Sequence, residues 1–352
     1  IVTMKVNKIK THELEKCYSI CPLTYNGTEH MLVAAEKVNK CLLFDLDGNL
    51  EETVWDEPGG VMTMVQIPGS NGEFLATHKF YSPNDSKEAK IILASPKGKN
   101  DWVVKTIVDL PFVHRFDILT RGGVNYIIAC ALKSGHEFKD DWSMPGKVWV
   151  GELPNDLSDI NENNQIKLVP LKEDLLKNHG YCRVEKDGVM SGIVGTENGI
   201  FKVTPPAEKG GEWTVETLTE DPASDMTFAD FDGDGEDEML VMTPFHGDTI
   251  KIYKKADGKY TSVKTFEGSY EFLHGIWGAE ILGKGMAIIG NRKGDRDLMA
   301  CYHDGKDYVL EVLDHNVGPA NTRVYKKPGN KLGILSTNRE IDEIAFYEIE
   351  SL

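Results

Sequence analysis

The chain has no apolar run approaching the roughly 20 residues that a membrane-spanning helix requires, so no membrane partner is expected. Positive charge is also scarce: 39 Lys and Arg stand against 56 Asp and Glu, a formal net charge of -17. Such a chain repels a phosphate backbone, whose binding is dominated by neutralisation with Lys and Arg, and no nucleic-acid partner is expected either. Paired CxxC ligand spacing is absent. The six cysteines (Cys17, Cys21, Cys41, Cys130, Cys182, Cys301) lie scattered, mostly inside apolar strand-like runs, and read as reduced core thiols of a cytoplasmic protein. There is no GxSxG, no P-loop and no Rossmann glycine pattern before a helix, which leaves serine nucleophiles and nucleotide use without support. The opening "IVTMKVNKIKTHELEK" lacks the apolar centre of a secretory signal. Met4 is the expected natural start, with Ile1, Val2 and Thr3 added ahead of it; the other reading is a mature form trimmed of its signal.

What is present is β-structure. Short β-rich runs separated by Gly, Asn, Asp and Pro recur along the 352 residues, and helical periodicity is confined to a brief "LKEDLLKNH". Units of about 45 to 60 residues each hold four strand candidates, the size of a propeller blade. The sixth unit runs "HGIWGAEIL", "GMAIIGN", "DLMACYHD", "YVLEVLD"; the fifth repeats the order with "DMTFADF", "EMLVMTPF", "TIKIYKKADG", "YTSVKTFEG". Carried outward, this template places blades beginning near Cys17, Gly59, Phe112, Lys177, Ala223, Tyr270 and Val317. The predicted fold is therefore an all-β, seven-bladed β-propeller of four-stranded blades in one domain over 1–352. The last blade is one strand short, and residues 4–14 have no blade of their own. An N-terminal strand should complete the last blade and close the ring, removing exposed sheet edges. A pair of β-sandwiches or a β-helix would not explain seven four-strand units.

One loop stands apart. In "ADFDGDGEDE", Asp230, Asp232, Asp234 and Glu238 fall at relative positions one, three, five and nine, with Gly235 turning the chain after the third carboxylate. That spacing wraps oxygen ligands around a hard cation such as calcium, with Glu236 supplying its backbone carbonyl; the other reading is an acidic turn without metal. These residues resemble the FG-GAP repeat family of propellers, whose calcium loops lie in the hairpin between the first and second strands of a blade. The likeness is carried by this loop in one blade and by strand pattern in the rest, since blade six has "EILGKG" at the same place. Calcium there is read as structural.

The chemistry is expected on the opposite face. Three inner strands open on histidine, in "FVHRFD", "KNHGYC" and "FLHGIW", so His114, His179 and His274 should converge on the channel mouth and hold a divalent transition metal, zinc or manganese. Blade five offers Ser224 and Asp225 at the same level, and blade seven Asn321. The polar second-to-third strand loops should rim this mouth with His78, Lys79, Tyr81, His136, Glu137, His246, Arg292 and Arg296. Each imidazole taken alone reads equally as a hydrogen-bonded or solvent-facing side chain; the convergence points to a site. Tyr81, Phe138 and Trp142 are suited to stacking on a sugar ring, whereas Trp277, inside a strand, reads as core.

A seven-bladed FG-GAP-like propeller with histidines on its inner strands is similar to the propeller domain of the aldos-2-ulose (1,5-anhydro-D-fructose) dehydratases, metal-dependent lyases of keto-sugars that carry further domains. The resemblance implies a metal on His114, His179 and His274, and a small carbohydrate substrate undergoing dehydration or isomerisation. His136 or His246 would then serve as base, with Arg292 or Lys79 steadying the charge that develops and Tyr81 at the rim. Two alternatives stay open: uronate β-elimination of the kind performed by oligogalacturonate lyases, favoured by arginines at the mouth, and a non-catalytic propeller that binds a carbohydrate or a protein.

Overall fold

The computed structural model describes residues 4–350; Ile1, Val2 and Thr3 lie outside them. Seven four-stranded antiparallel sheets stand in a ring, and six consist of four strands consecutive in sequence. In the seventh, strand Lys5–Glu13 pairs with the C-terminal strand Glu343–Glu350, so both ends of the chain share one sheet. The protein is thus a seven-bladed β-propeller closed by its N-terminal strand, and no blade is left with three strands. The inner strands are Cys17–Tyr25, Met64–Gln66, Val113–Arg121, Gly180–Lys186, Asp225–Ala229, Leu273–Ile281 and Pro319–Lys327. Each touches its neighbours in turn around the central channel.

The segment "LKEDLLKNH" is not helical. Its first part belongs to Val169–Leu175, the outer strand of the third blade, paired through bulges with Pro145–Leu153. Three partners already formed leave an open ladder that a fourth strand satisfies, and this outweighs the local helical pattern.

The core lies between blades. One apolar cluster joins Ile288 and Leu298 of blade six to Ile334 and Tyr347 of blade seven and to Met4. Another joins Tyr325 and Phe346 of blade seven to Cys17 and Phe44 of blade one. Both faces of each blade's second strand feed such clusters, which is why Phe74–His78 and Glu238–Thr243 are buried from end to end, whereas an outer strand such as Lys259–Thr265 is largely exposed. All six cysteines are free, five of them buried, and Cys182 borders the channel.

Candidate functional site

At the start of four inner strands the pairing with the second strand skips one residue: Tyr18, His114, His274 and Ala320 fall in the register shifts Cys17/Ser19, Val113/Arg115, Leu273/Gly275 and Pro319/Asn321. A bulge of this kind bends the strand and re-aims a side chain out of the alternating pattern. Here it gathers a layer of rings. His179, the residue before Gly180 in blade four, lies at its centre: its ring centroid is 4.5 Å from that of His114, 4.8 Å from His246 and 5.6 Å from His274. Gly180 is needed for this approach, because a β-carbon there would come within 2.8 Å of the Ser224 carbonyl and Asp225 Cα in the next blade.

The tautomers are set by backbone carbonyls. His179 Nδ1 donates to Ser224 O at 2.8 Å and His274 Nδ1 to Ala320 O at 2.5 Å, which leaves each Nε2 with a lone pair. Nitrogens of His179, His246 and His274 all lie within 4.8 Å of one another, with the Nε2 atoms of His179 and His246 3.3 Å apart. These three therefore form the set able to hold one metal ion. His114, read from the sequence as a ligand, is outside that set; its ring packs on His179 and its buried Nδ1 has no partner. His246, read as a base, falls inside it. The sequence could not separate the two, because His246 arrives on the "TPFHGD" loop rather than on an inner strand.

Every imidazole of the layer is held neutral. Burial, ahead of nearby Arg115 and Arg292 and against the Ser224 carbonyl, brings His179 down to about 4. Burial, followed by the repulsion a proton would meet from nearby arginines and from any other protonated imidazole of the layer, pushes His114, His246 and His274 well below the ordinary histidine value. Tyr18, which the sequence reading missed, places its hydroxyl 2.9 Å from His274 Nε2. His246 has a φ of +49°, in the left-handed region that a β-carbon disfavours. It is held there between the rings of Phe245 and Phe272, at 3.9 and 4.6 Å, and by its N–H donating to Ser224 Oγ. Phe245 also meets Trp142 at 5.2 Å, so the long 134–144 loop reaches the layer through that indole.

Other expected rim residues do not converge. Among the described residues no hydrogen bond, ion pair or ring contact links Lys79, Tyr81 or His136 to the histidine layer. Lys79 borders a separate cavity with Lys87, Glu88 and Asp109, Tyr81 pairs through its backbone with Asp85, and His136 meets Phe112 edge-on. His78 is buried against Trp55, and Phe138 is exposed. Arg292 lies over Phe272 but donates to Glu340, so it is not a free cation. Asp225 is committed to Arg115 at 3.2 Å.

On the opposite face, Asp230, Asp232, Asp234 and Glu238 bring carboxylate oxygens within 4.8 Å of one another. Glu238 is fully buried; one oxygen accepts from Tyr308 Oη at 2.9 Å, and the other has no partner. Burial, then the Asp232 charge, pushes its carboxyl up to about 7 despite the Tyr308 bond. An oxygen lacking a donor amid three further carboxylates fits a hard cation. Lys254 already bridges Asp232 and Asp234 at 2.5 and 3.0 Å, so a metal would compete with an ammonium. If calcium binds here, an excess about a hundredfold over its Kd should stabilise the fold by about 2.7 kcal/mol and raise Tm by roughly 4 °C. Asp232→Ala should lower Tm and abolish that response without changing activity assayed well below melting. A calcium-responsive Asp232→Ala protein in thermal denaturation, or a folded one without turnover, would refute the structural assignment.

No protein-family model matches the chain, and comparison with curated proteins gives no match. The structure shows the seven four-stranded blades of a propeller, and no matching relative supports the FG-GAP or dehydratase resemblance.

Proposed function

We propose that the protein is a metal-dependent lyase or isomerase acting on a keto-sugar or related small carbohydrate, with His179, His246 and His274 holding a divalent transition metal, zinc or manganese. The observation carrying this reading is the pair of Nδ1 bonds to the carbonyls of Ser224 and Ala320, the outer-shell arrangement that orients metal-bound imidazoles. A bound metal would act as a Lewis acid, polarising a carbonyl oxygen and acidifying the neighbouring C–H. Three protein ligands leave positions open for substrate oxygens. The chain's own part is to keep the imidazoles neutral, to exclude water with Phe245 and Phe272, and to accept the proton.

With His246 among the ligands and His136 making no contact with the layer, His114 is the imidazole left beside the set, neutral and with an unpartnered Nδ1. We assign it the proton-accepting role. His114→Gln should keep about one equivalent of transition metal and lose about 100-fold or more in turnover, the range general-base removal produces. Metal loss in that variant would make His114 a ligand, and unchanged turnover would remove it from the chemistry. Calcium in the 230–238 loop is assigned to stability.

The uronate reading draws on arginines at the mouth, and Arg292 is already engaged by Glu340. A non-catalytic propeller is favoured by one observation, the stacking of Phe245 and Phe272 on both sides of His246, which would suit a metal that pins blades together. Elemental analysis of protein purified without added metal, followed by a panel of keto-sugars and uronates, separates these readings. One equivalent of zinc or manganese with turnover of a keto-sugar is expected. Metal with no turnover of any panel member supports the pin, and calcium alone rejects the metal centre.

A further inference from the structure

Below the histidine layer the central channel widens into a cavity of about 680 Å³, within the size range of small-molecule sites. Its upper end is bordered by Ser19, Met62, Arg115 and Asn321, next to the layer. Its lower end is bordered by the exposed Thr24, Glu29, Glu185 and Asp237, near the first-to-second strand hairpins. The cavity therefore opens on the face carrying the 230–238 loop, away from the histidine mouth.

Three arginines project into it, and two have carboxylate partners. Arg115 is paired with Asp225 at 3.2 Å. Arg183 grips Asp117 with two nitrogens, Nε at 2.9 Å and Nη2 at 2.5 Å, while Tyr181 Oη donates to the same carboxylate at 2.8 Å. Arg323 has none: its guanidinium lies 4.1 Å above the Trp277 ring and makes no hydrogen bond or ion pair to any described residue. Asp225 and Asp117 answer Arg115 and Arg183, and the other lining carboxylates, Glu29, Glu185 and Asp237, stand at the opening and make no contact with Arg323, which is left without a carboxylate inside the channel. In a chain of net charge -17, with carboxylates available throughout, that vacancy marks an acceptor supplied from outside.

The wall specifies the rest of the ligand. Val65, Val184 and Phe228, each partly exposed, supply apolar surface in the wall, whereas Met64 and Phe116 are buried in the cores between blades. The guanidinium carbon of Arg323 lies over the indole of Trp277, a contact that uses none of its N–H donors and leaves them for the two oxygens of a carboxylate. The exposed carboxylates of Glu29, Glu185 and Asp237 at the opening disfavour polyanions. We propose that the central channel is a second ligand site, in which Arg323, stacked on Trp277, binds the carboxylate of a small monoanionic organic acid with an apolar or aromatic body. The site does not depend on the metal reading, because no histidine of the layer borders the cavity.

The test uses the full chain, with benzoate and acetate as carboxylate probes, benzamide as the neutral isostere and inorganic phosphate as the dianion. Binding is followed by titration calorimetry and thermal denaturation. Benzoate should raise Tm in a concentration-dependent way and bind at least tenfold more tightly than acetate or phosphate, and benzamide should have no effect. Arg323→Met should weaken benzoate binding by tenfold or more. Arg323→Lys, which retains the charge and much of the stem, should fold and bind more weakly than the parent, and it reports even if the Met variant does not fold. Unchanged affinity in a folded Arg323 variant, equal response to benzamide, preference for phosphate, or no response to either carboxylate would each overturn the assignment. Binding that vanishes in a folded His179→Ala protein would place the anion at the histidine centre instead and so also reject it.

Discussion

His179→Ala is expected to abolish transition-metal binding and turnover together while leaving calcium-dependent melting intact. Its ring touches those of His114, His246 and His274, and its Nε2 lies 3.3 Å from that of His246, so no other imidazole replaces it without backbone movement. Loss of an outer-shell partner alone typically costs about 10–100-fold in metal affinity or activity. Removal of a ligand should exceed that, and the metal content should fall from about one equivalent to near zero. His179→Gln, which keeps more of the buried volume, separates ligation from packing: it too should lose the metal. The calcium response should persist because the acidic loop lies at the far end of the blades, tied to Lys254 and Tyr308 rather than to any histidine. A variant retaining full metal would remove His179 from the centre, and one losing its calcium response would show that the two faces are energetically coupled.

Deletion of residues through Glu13 is expected to prevent stable folding. The N-terminal strand pairs with Glu343–Glu350 from Lys5↔Glu350 to Glu13↔Glu343, broken only by one bulge at Lys8/Lys10. Met4 and Val6 add apolar contacts to the cluster between blades six and seven. Each net hydrogen bond contributes about 1 kcal/mol, so losing this ladder removes an amount comparable with the roughly 5–15 kcal/mol by which a folded domain is stable at all. The truncation also exposes the ladder edge of the C-terminal strand, a template for pairing between molecules. The expected result is insoluble or aggregated protein on gel filtration. A soluble monomer with unchanged Tm would show that the ring holds without this closure.

The architecture was legible because it depends on local signals repeated many times. Turn residues at short intervals and four strand runs per unit identify blades whatever their exact ends, and a strand missing at one terminus with a spare at the other implies closure. The inner strands begin within about five residues of the expected positions. The 230–238 loop was legible for the same reason, all its carboxylates being local in sequence. "LKEDLLKNH" shows the limit: its local pattern suggested a helix, and an unpaired strand nearby claimed it.

By itself the sequence determined the class of fold, the number of blades, the closing strand and which histidines open inner strands, because each follows from periodicity along one dimension. Only the tertiary structure decided which imidazoles meet. A bulge of one residue in four inner strands re-aims Tyr18, His114 and His274, and a second-to-third strand loop brings His246 to within ligand distance of His179 while leaving His136, Lys79 and Tyr81 apart. It also decided that Arg115 and Arg183 find carboxylates and Arg323 does not. Charge compensation across a channel depends on separations of a few ångströms between blades more than fifty residues apart, and no spacing within a single strand encodes that distance.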